Sequence, residues 1–200
     1  MSKGDETRNR IIAAAAPVFN QHGFEGTSMA ELMKATGLEK GGIYRHFSSK
    51  EELALEAFDY ASRQAMRRRL DELQKYPNSV DKLKALIRSF VERTISVPGG
   101  CPLFNAAVDS DDGNPLLRDR ARKAIRRWVK VLESTIRNGI EAREIRQDVN
   151  SHDLAVLLIS TLEGALVLSR LERNRGPMTS VQAHLERHLE TAVRMTFTPQ

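Results

Sequence analysis

Apolar residues recur at intervals of three and four along most of the chain, which predicts amphipathic helices. Ile11, Ile12, Ala15, Val18 and Phe19 mark the first, over 7–22, ended by Gly23, with Phe24 expected to pack under the next helix. Ser28 is placed as an N-cap, with Glu31 three residues on to complete a capping box. Leu32, Met33 and Thr36 follow on one side, and Gly37 sits where a left-handed residue would end the helix. Leu38 is the buried residue of the turn. Ile43 and Phe47, four apart, give a second short helix over 40–47 one apolar face. Its other face carries Lys40, Tyr44, Arg45 and His46, with Glu39 the one acid at its start. Two short helices with a glycine turn, the second basic, form a helix-turn-helix over 28–47. Such a pair is too small to bury its own core, so the preceding helix braces it.

The remainder reads as longer helices. Ser49, with Glu52 at the capping-box position, opens one whose stripe is Ala54, Phe58, Ala61 and Ala65 and which runs past Leu70. No Gly/Pro linker precedes Tyr76-Pro77-Asn78, so this helix is expected to join two domains. Asn78 or Ser79 starts the next, with Leu83, Ile87, Phe90 and Val91 inward. Pro98, Gly99 and Gly100 break it; Pro102 suits a first helical turn, and a short helix through Val108 follows. Asn114-Pro115 is an N-cap and N1 pair for a long helix to about Gly139, lined by Leu117, Ala121, Ala124, Trp128, Leu132 and Thr135. After a connection over 140–150, Asn150 or Ser151 begins a helix apolar nearly all round, which must be covered on two sides. Gly176-Pro177 separates it from a last helix bearing Val181, Leu185, Leu189 and Ala192. The expected fold class is all-α.

Composition sharpens this only a little. At 200 residues and 40% hydrophobic, the chain has material for a proper core. A formal charge of +5 permits a polyanionic partner. One cysteine excludes an intramolecular disulfide framework and suits a reducing compartment. The start, MSKGDETRNR, has no apolar stretch of the kind a secretion signal needs. The apolar run from Leu154 to Leu168 is interrupted by Ser160, Thr161, Glu163 and Gly164, and falls short of the roughly 20 residues a bilayer span requires. A cytoplasmic protein with no membrane partner is expected.

The flanks of the motif are more specific than the motif. From TRNRII and GFEGTSM through GLEKGGIYRHFSSKEEL, over roughly residues 5–65, the chain resembles the TetR/AcrR family of transcriptional regulators. The resemblance implies a three-helix DNA-binding domain over 5–65 and a helical ligand-binding and dimerisation domain over 66–197. It also implies a homodimer on a palindromic double-stranded operator, released by a small-molecule effector, with no cofactor. Met33 stands where the family usually has alanine, and Glu39 where Ser or Thr usually caps the reading helix.

The chemistry of the motif agrees with that resemblance. A helix about 10–12 Å across fits a major groove about 12 Å wide. Arg45 is the candidate for a base edge, because guanidinium pairs bidentately with guanine O6 and N7. Tyr44 and His46 take positions that in the resembling family meet phosphate. Ser28 and Lys50 begin flanking helices, where N–H groups and the dipole favour phosphate. Gly41 and Gly42 allow close approach to the DNA backbone. The DNA-binding candidates are therefore Ser28, Lys40, Gly41, Gly42, Tyr44, Arg45, His46 and Lys50.

The second domain is a sensor by resemblance alone, with Phe58, Phe90, Cys101, Phe104, Trp128 and Leu132 as ligand-binding candidates. Aromatics at helical spacing are more often core. Cys101, between Gly-Gly and Pro, reads first as a small buried hydrophobe, although a Gly-Cys here senses electrophiles or oxidants in some resembling regulators. The cations from Arg118 to Lys130 read as a solvated face that offers ion pairs to Asp109, Asp111 and Asp112. The loop DSDDGN lacks EF-hand spacing, and HLERH with His184 and His188 is not HExxH, so no metal is expected. No phosphate loop, dinucleotide fingerprint or nucleophile triad marks an enzyme. The alternative to a regulator is a non-enzymatic helical interaction protein.

Overall fold

The structure, a computed structural model, describes residues 2–92 and 97–195, without the side chain of Glu72. Residues 93–96 and 196–197 of the expected second domain lie outside the described residues. The helices are α1 (Lys3–Gly26), α2 (Met29–Thr36), α3 (Lys40–Tyr44), α4 (Lys50–Leu73), α5 (Ser79–Glu92), α6 (Pro102–Asp109), α7 (Pro115–Glu141), α8 (Ser151–Leu171) and α9 (Gly176–His188). A π-helical turn over Leu189–Val193 extends α9. The one extended pairing among the described residues is an antiparallel bridge between Ile145 and Arg194. The fold is all-α.

Two compact units divide the chain: residues 1–65 with 95–125, and residues 66–94 with 126–200. The chain of α4 and that of α7 each contribute to both.

In the first unit, α1 starts four residues earlier than its apolar pattern indicates. Ser2 and Asp5 form a reciprocal capping box, a polar device that hydrophobic spacing does not register. Helical geometry breaks at Gly23, whose φ of 74° is open to glycine at little cost. Ile11, Ile12, Ala15 and Ala16 of α1 then close over Leu32, Ile43, Phe47, Leu53, Ala57 and Ala61 in one buried cluster. Arg8 lies 4.3 Å from the centre of the Phe47 ring and pairs with both Glu52 and Glu56, tying α1 to α4. At the head of α4, Ser49 Oγ accepts from Glu52 N as expected. The Glu52 carboxylate, however, accepts from Ser48 N and Oγ at 2.7 Å.

Asp109 does not pair with the cations of α7; it accepts from the Phe24 N–H at 2.8 Å. Three of those cations have other partners, and Arg122, Arg126, Arg127 and Lys130 are exposed. Arg118 donates to the Asp111 carbonyl, Arg120 pairs with Asp59, and Lys123 pairs with Asp119. The amide of Asn105 donates to Asn20 O and Gly99 O, while Asn20 Nδ2 donates to Pro98 O.

The second unit is built on Val80, Leu83, Leu86 and Ile87 of α5, Trp128, Leu132 and Ile136 of α7, and the buried faces of α8 and α9. Asn78 caps α5, accepting from Val80 N and Asp81 N. Asn150 caps α8 in the same way through His152 N and Asp153 N. At 21 residues α8 is longer than its apolar run and, by length and composition only, is long and apolar enough to cross a bilayer. In the fold, Leu154, Ala155, Leu158, Ile159, Leu162 and Ala165 are core, and Glu163 is buried mid-helix.

Candidate nucleic-acid interface

Local sequence sets the reading elements. Ser28 Oγ accepts from Glu31 N at 3.2 Å, and the Glu31 carboxylate accepts from both Ser28 N and Ser28 Oγ at 2.8 Å. Those hydrogen bonds, the backbone one foremost, hold the Glu31 carboxyl below its ordinary value. Gly37 ends α2 in the left-handed region with φ 68°, its N–H donating to Met33 O. The chain then turns over Leu38 into α3.

Helix α3 is shorter than the 40–47 expected from Ile43 and Phe47. It covers five residues, followed by a turn in which His46 N and Phe47 N both donate to Ile43 O. Glu39 makes no side-chain cap, and two glycines in five residues weaken the helix. What fixes it is packing: Ile43 and Phe47 are each 1% exposed. That anchorage turns the opposite side outward. Lys40, Gly41, Tyr44 and Arg45 are exposed, and Gly42, His46 and Lys50 half-buried. The Lys40 ammonium lies 5.9 Å from the Tyr44 ring centre, and Tyr44 Oη is 3.7 Å from Met29 Sδ. Lys50 Nζ sits 4.7 Å from the centre of the Phe24 ring, which holds its charge close to the protein surface.

Two observations refine the expected roles. Both donors of Ser28 are engaged with Glu31, so its structural role is the cap. A Cβ placed on Gly41 would meet nothing within 4 Å, so no packing in the chain requires glycine there. At Gly42 the Leu38 side chain would lie at 3.4 Å, ordinary contact.

The ligand-binding candidates divide between the units. Phe58, Cys101 and Phe104 belong to the first, and Phe90, Trp128 and Leu132 to the second. Cys101 is 4% exposed and stands at the N-cap of α6. Phe90 and Trp128 come together as stacked rings with centroids 6.2 Å apart. Arg69 stacks on both rings and faces Glu163, and neither residue is among the ligand-binding candidates read from the sequence. Arg69 lies in the arginine run Arg67-Arg68-Arg69, and Glu163 reads as an interruption of an apolar helix. No signal short of the fold would have paired them.

Residues 11–57 match the profile described as bacterial regulatory proteins, tetR family. Residues 79–185 match that of the tetracyclin repressor-like C-terminal domain. A TetR transcriptional regulator from Chloroflexus aurantiacus J-10-FL superposes with a TM-score of 0.92 at 44% identity, covering 98% of this chain and 100% of that one. This chain belongs to the TetR family. It is a helix-turn-helix DNA-binding transcriptional regulator. Among its TetR-family relatives, the transcriptional repressor DhaR of Mycobacterium sp. (strain GP1) is 27% identical over 175 residues, 86% of each chain. The regulator CifR, solved as a cysteine mutant complexed with 26-bp double-strand operator DNA, is 26% identical with a TM-score of 0.77, covering 92% of this chain and 95% of that one.

Proposed function

We propose that the chain is a ligand-responsive repressor that binds a palindromic operator as a homodimer, with residues 5–65 reading DNA and residues 66–197 carrying dimerisation and effector binding. The observation that carries the reading is the outward side of α3: Tyr44 and Arg45 are exposed because Ile43 and Phe47 are buried. Arg45 takes the base edge, while Lys40, Tyr44, His46 and Lys50 take phosphates. Gly41 lets a phosphate approach the backbone, which accounts for a glycine that packing does not demand. Ser28 serves mainly to hold α2 in place, and its hydroxyl reaches phosphate only by exchanging its bond to Glu31. Nothing in this reading calls for catalysis, a cofactor or a membrane, and it places the protein in the cytoplasm, where operators are.

One short reading helix offers few contacts, so a second copy is needed. The seam for it is on α8. Val156, Leu157, Val167, Leu168 and Leu171 are 39–78% exposed, and at helical spacing they share a face with the small residues Ser160 and Gly164. On α9, Ala183, His184 and Arg187 are exposed and would flank that seam. The proposed partner is a second copy of this chain, the two helices of each forming a four-helix interface.

Selection of duplexes from a random pool by the purified protein tests the reading. Enrichment of a site with two inverted half-sites is expected; enrichment of none over bulk competitor would overturn it.

A further inference from the structure

Inside the second unit an arginine occupies a place that a ligand of the same chemistry would fill. Arg69 is 12% exposed in its side chain, and its Cζ lies 3.9 Å from the Trp128 ring centre and 4.9 Å from that of Phe90. Behind it stands Glu163, 2% exposed, with Arg69 Nη2 to Glu163 Oε1 at 3.6 Å. That separation neutralises charge but is too long for a hydrogen bond. Two aromatic faces and a buried carboxylate around one site select a cation, since the ring quadrupoles and the carboxylate attract the same sign. A separate observation shows that the polar complement is incomplete. Trp128 is 1% exposed, and its Nε1 has no hydrogen-bond partner among the described residues. A buried indole N–H left so is costly, and a ligand oxygen would satisfy it. Phe90 and Arg69 are half-buried, whereas Trp128 and Glu163 are buried.

We infer that the Trp128–Phe90–Glu163 box is an effector site for a small organic cation, and that Arg69 is its internal competitor. The incoming cation takes the ring faces and the Glu163 carboxylate, and the Arg69 guanidinium leaves for solvent on its flexible stem. Arg69 belongs to α4, whose N-terminal residues Leu53, Ala57 and Ala61 share a buried cluster with Ile43 and Phe47. The inference deepens the ligand-responsive reading above and rests on it for the effect on DNA. Binding of the cation does not depend on it.

The test is an isosteric charge series on the full chain without DNA: benzamidine (cation), benzamide (neutral) and benzoate (anion). Trp128 is the only tryptophan in the chain, so its emission reports the box directly. Benzamidine should give a saturable change, with benzamide and benzoate weaker by about tenfold or more. Glu163→Gln should weaken benzamidine binding, whereas Arg69→Met, which removes the competitor and keeps most of its stem, should strengthen it. A purely structural ion pair gives no saturable change with benzamidine in either the parent or Arg69→Met. An anion site gives benzoate the tightest binding and loses it in Arg69→Met. Either result overturns the inference, as does benzamide binding as tightly as benzamidine. Should Arg69→Met fail to fold by circular dichroism, the series on the parent protein still decides. Failure of the DNA-reading proposal would leave all these arms intact, since operator binding is scored separately.

Discussion

The proposed reading gives Arg45 and Lys50 different work, and the difference is measurable. A guanidinium on a base edge discriminates by about 1–3 kcal/mol, roughly 5- to 150-fold. Arg45→Ala should therefore relax base preference at one position in each half-site of the selected duplex. Lys50→Ala should instead weaken binding evenly across sequences and flatten its dependence on salt. Equal relaxation by both substitutions in a duplex-selection assay would contradict the assignment. Glu31 offers a test without DNA. Its folded-state carboxyl lies below the ordinary 4.5, so its capping contribution is present above that value and is lost as pH falls through the lower folded value. Glu31→Gln keeps the geometry of the box without the charge and should make acid unfolding below about pH 4.5 shallower; an unaltered acid limb would refute this. Residues of this kind were legible in the sequence because caps and turns are local: Ser28, Gly37, Asn114 and Asn150 needed only their neighbours. Arg8, Arg69 and Glu163 were not, because their partners lie tens of residues away and a charge reads as solvated until the fold shows otherwise.

At the scale of elements, α3 is a weak helix held by its surroundings. Gly41→Ala should raise the stability of the free protein by up to about 1 kcal/mol, since the new methyl meets nothing and alanine is the better helix former. The same methyl should lower operator affinity by intruding on the DNA backbone. Thermal unfolding and duplex titration of the one variant must move in opposite directions; movement in the same direction would remove the close-approach explanation. The periodic pattern placed the bodies of the helices well and their ends less so. Helix α1 gained its first turn from a polar capping box, and α3 lost its last because the chain tightens after Tyr44. The last helix passes into a π-helical turn at Leu189, a change of pitch to which spacing of apolar residues is blind. Proline punctuation marks a boundary directly where Asn114-Pro115 opens α7.

At the scale of the whole molecule, two copies are proposed to join through α8 and present two α3 helices to one duplex. Charges on the α8 seam test the first half. Val167→Asp with Leu171→Asp replaces apolar side chains that are 60% and 78% exposed in the single chain, so each subunit should keep its fold while the dimer dissociates in sedimentation. A parent that sediments as a monomer at every concentration would contradict the assembly. Family likeness established the regulator, whereas the identity of the copies' interface and of the reading side chains rests on which faces the fold leaves uncovered. The most direct measurement compares operator affinity of the parent with that of Tyr44→Ala/Arg45→Ala at matched salt, with sedimentation run alongside. The double variant should lose at least about 10-fold in affinity and sediment as a dimer like the parent. Equal affinity of the two proteins for the selected duplex would contradict the proposed reading.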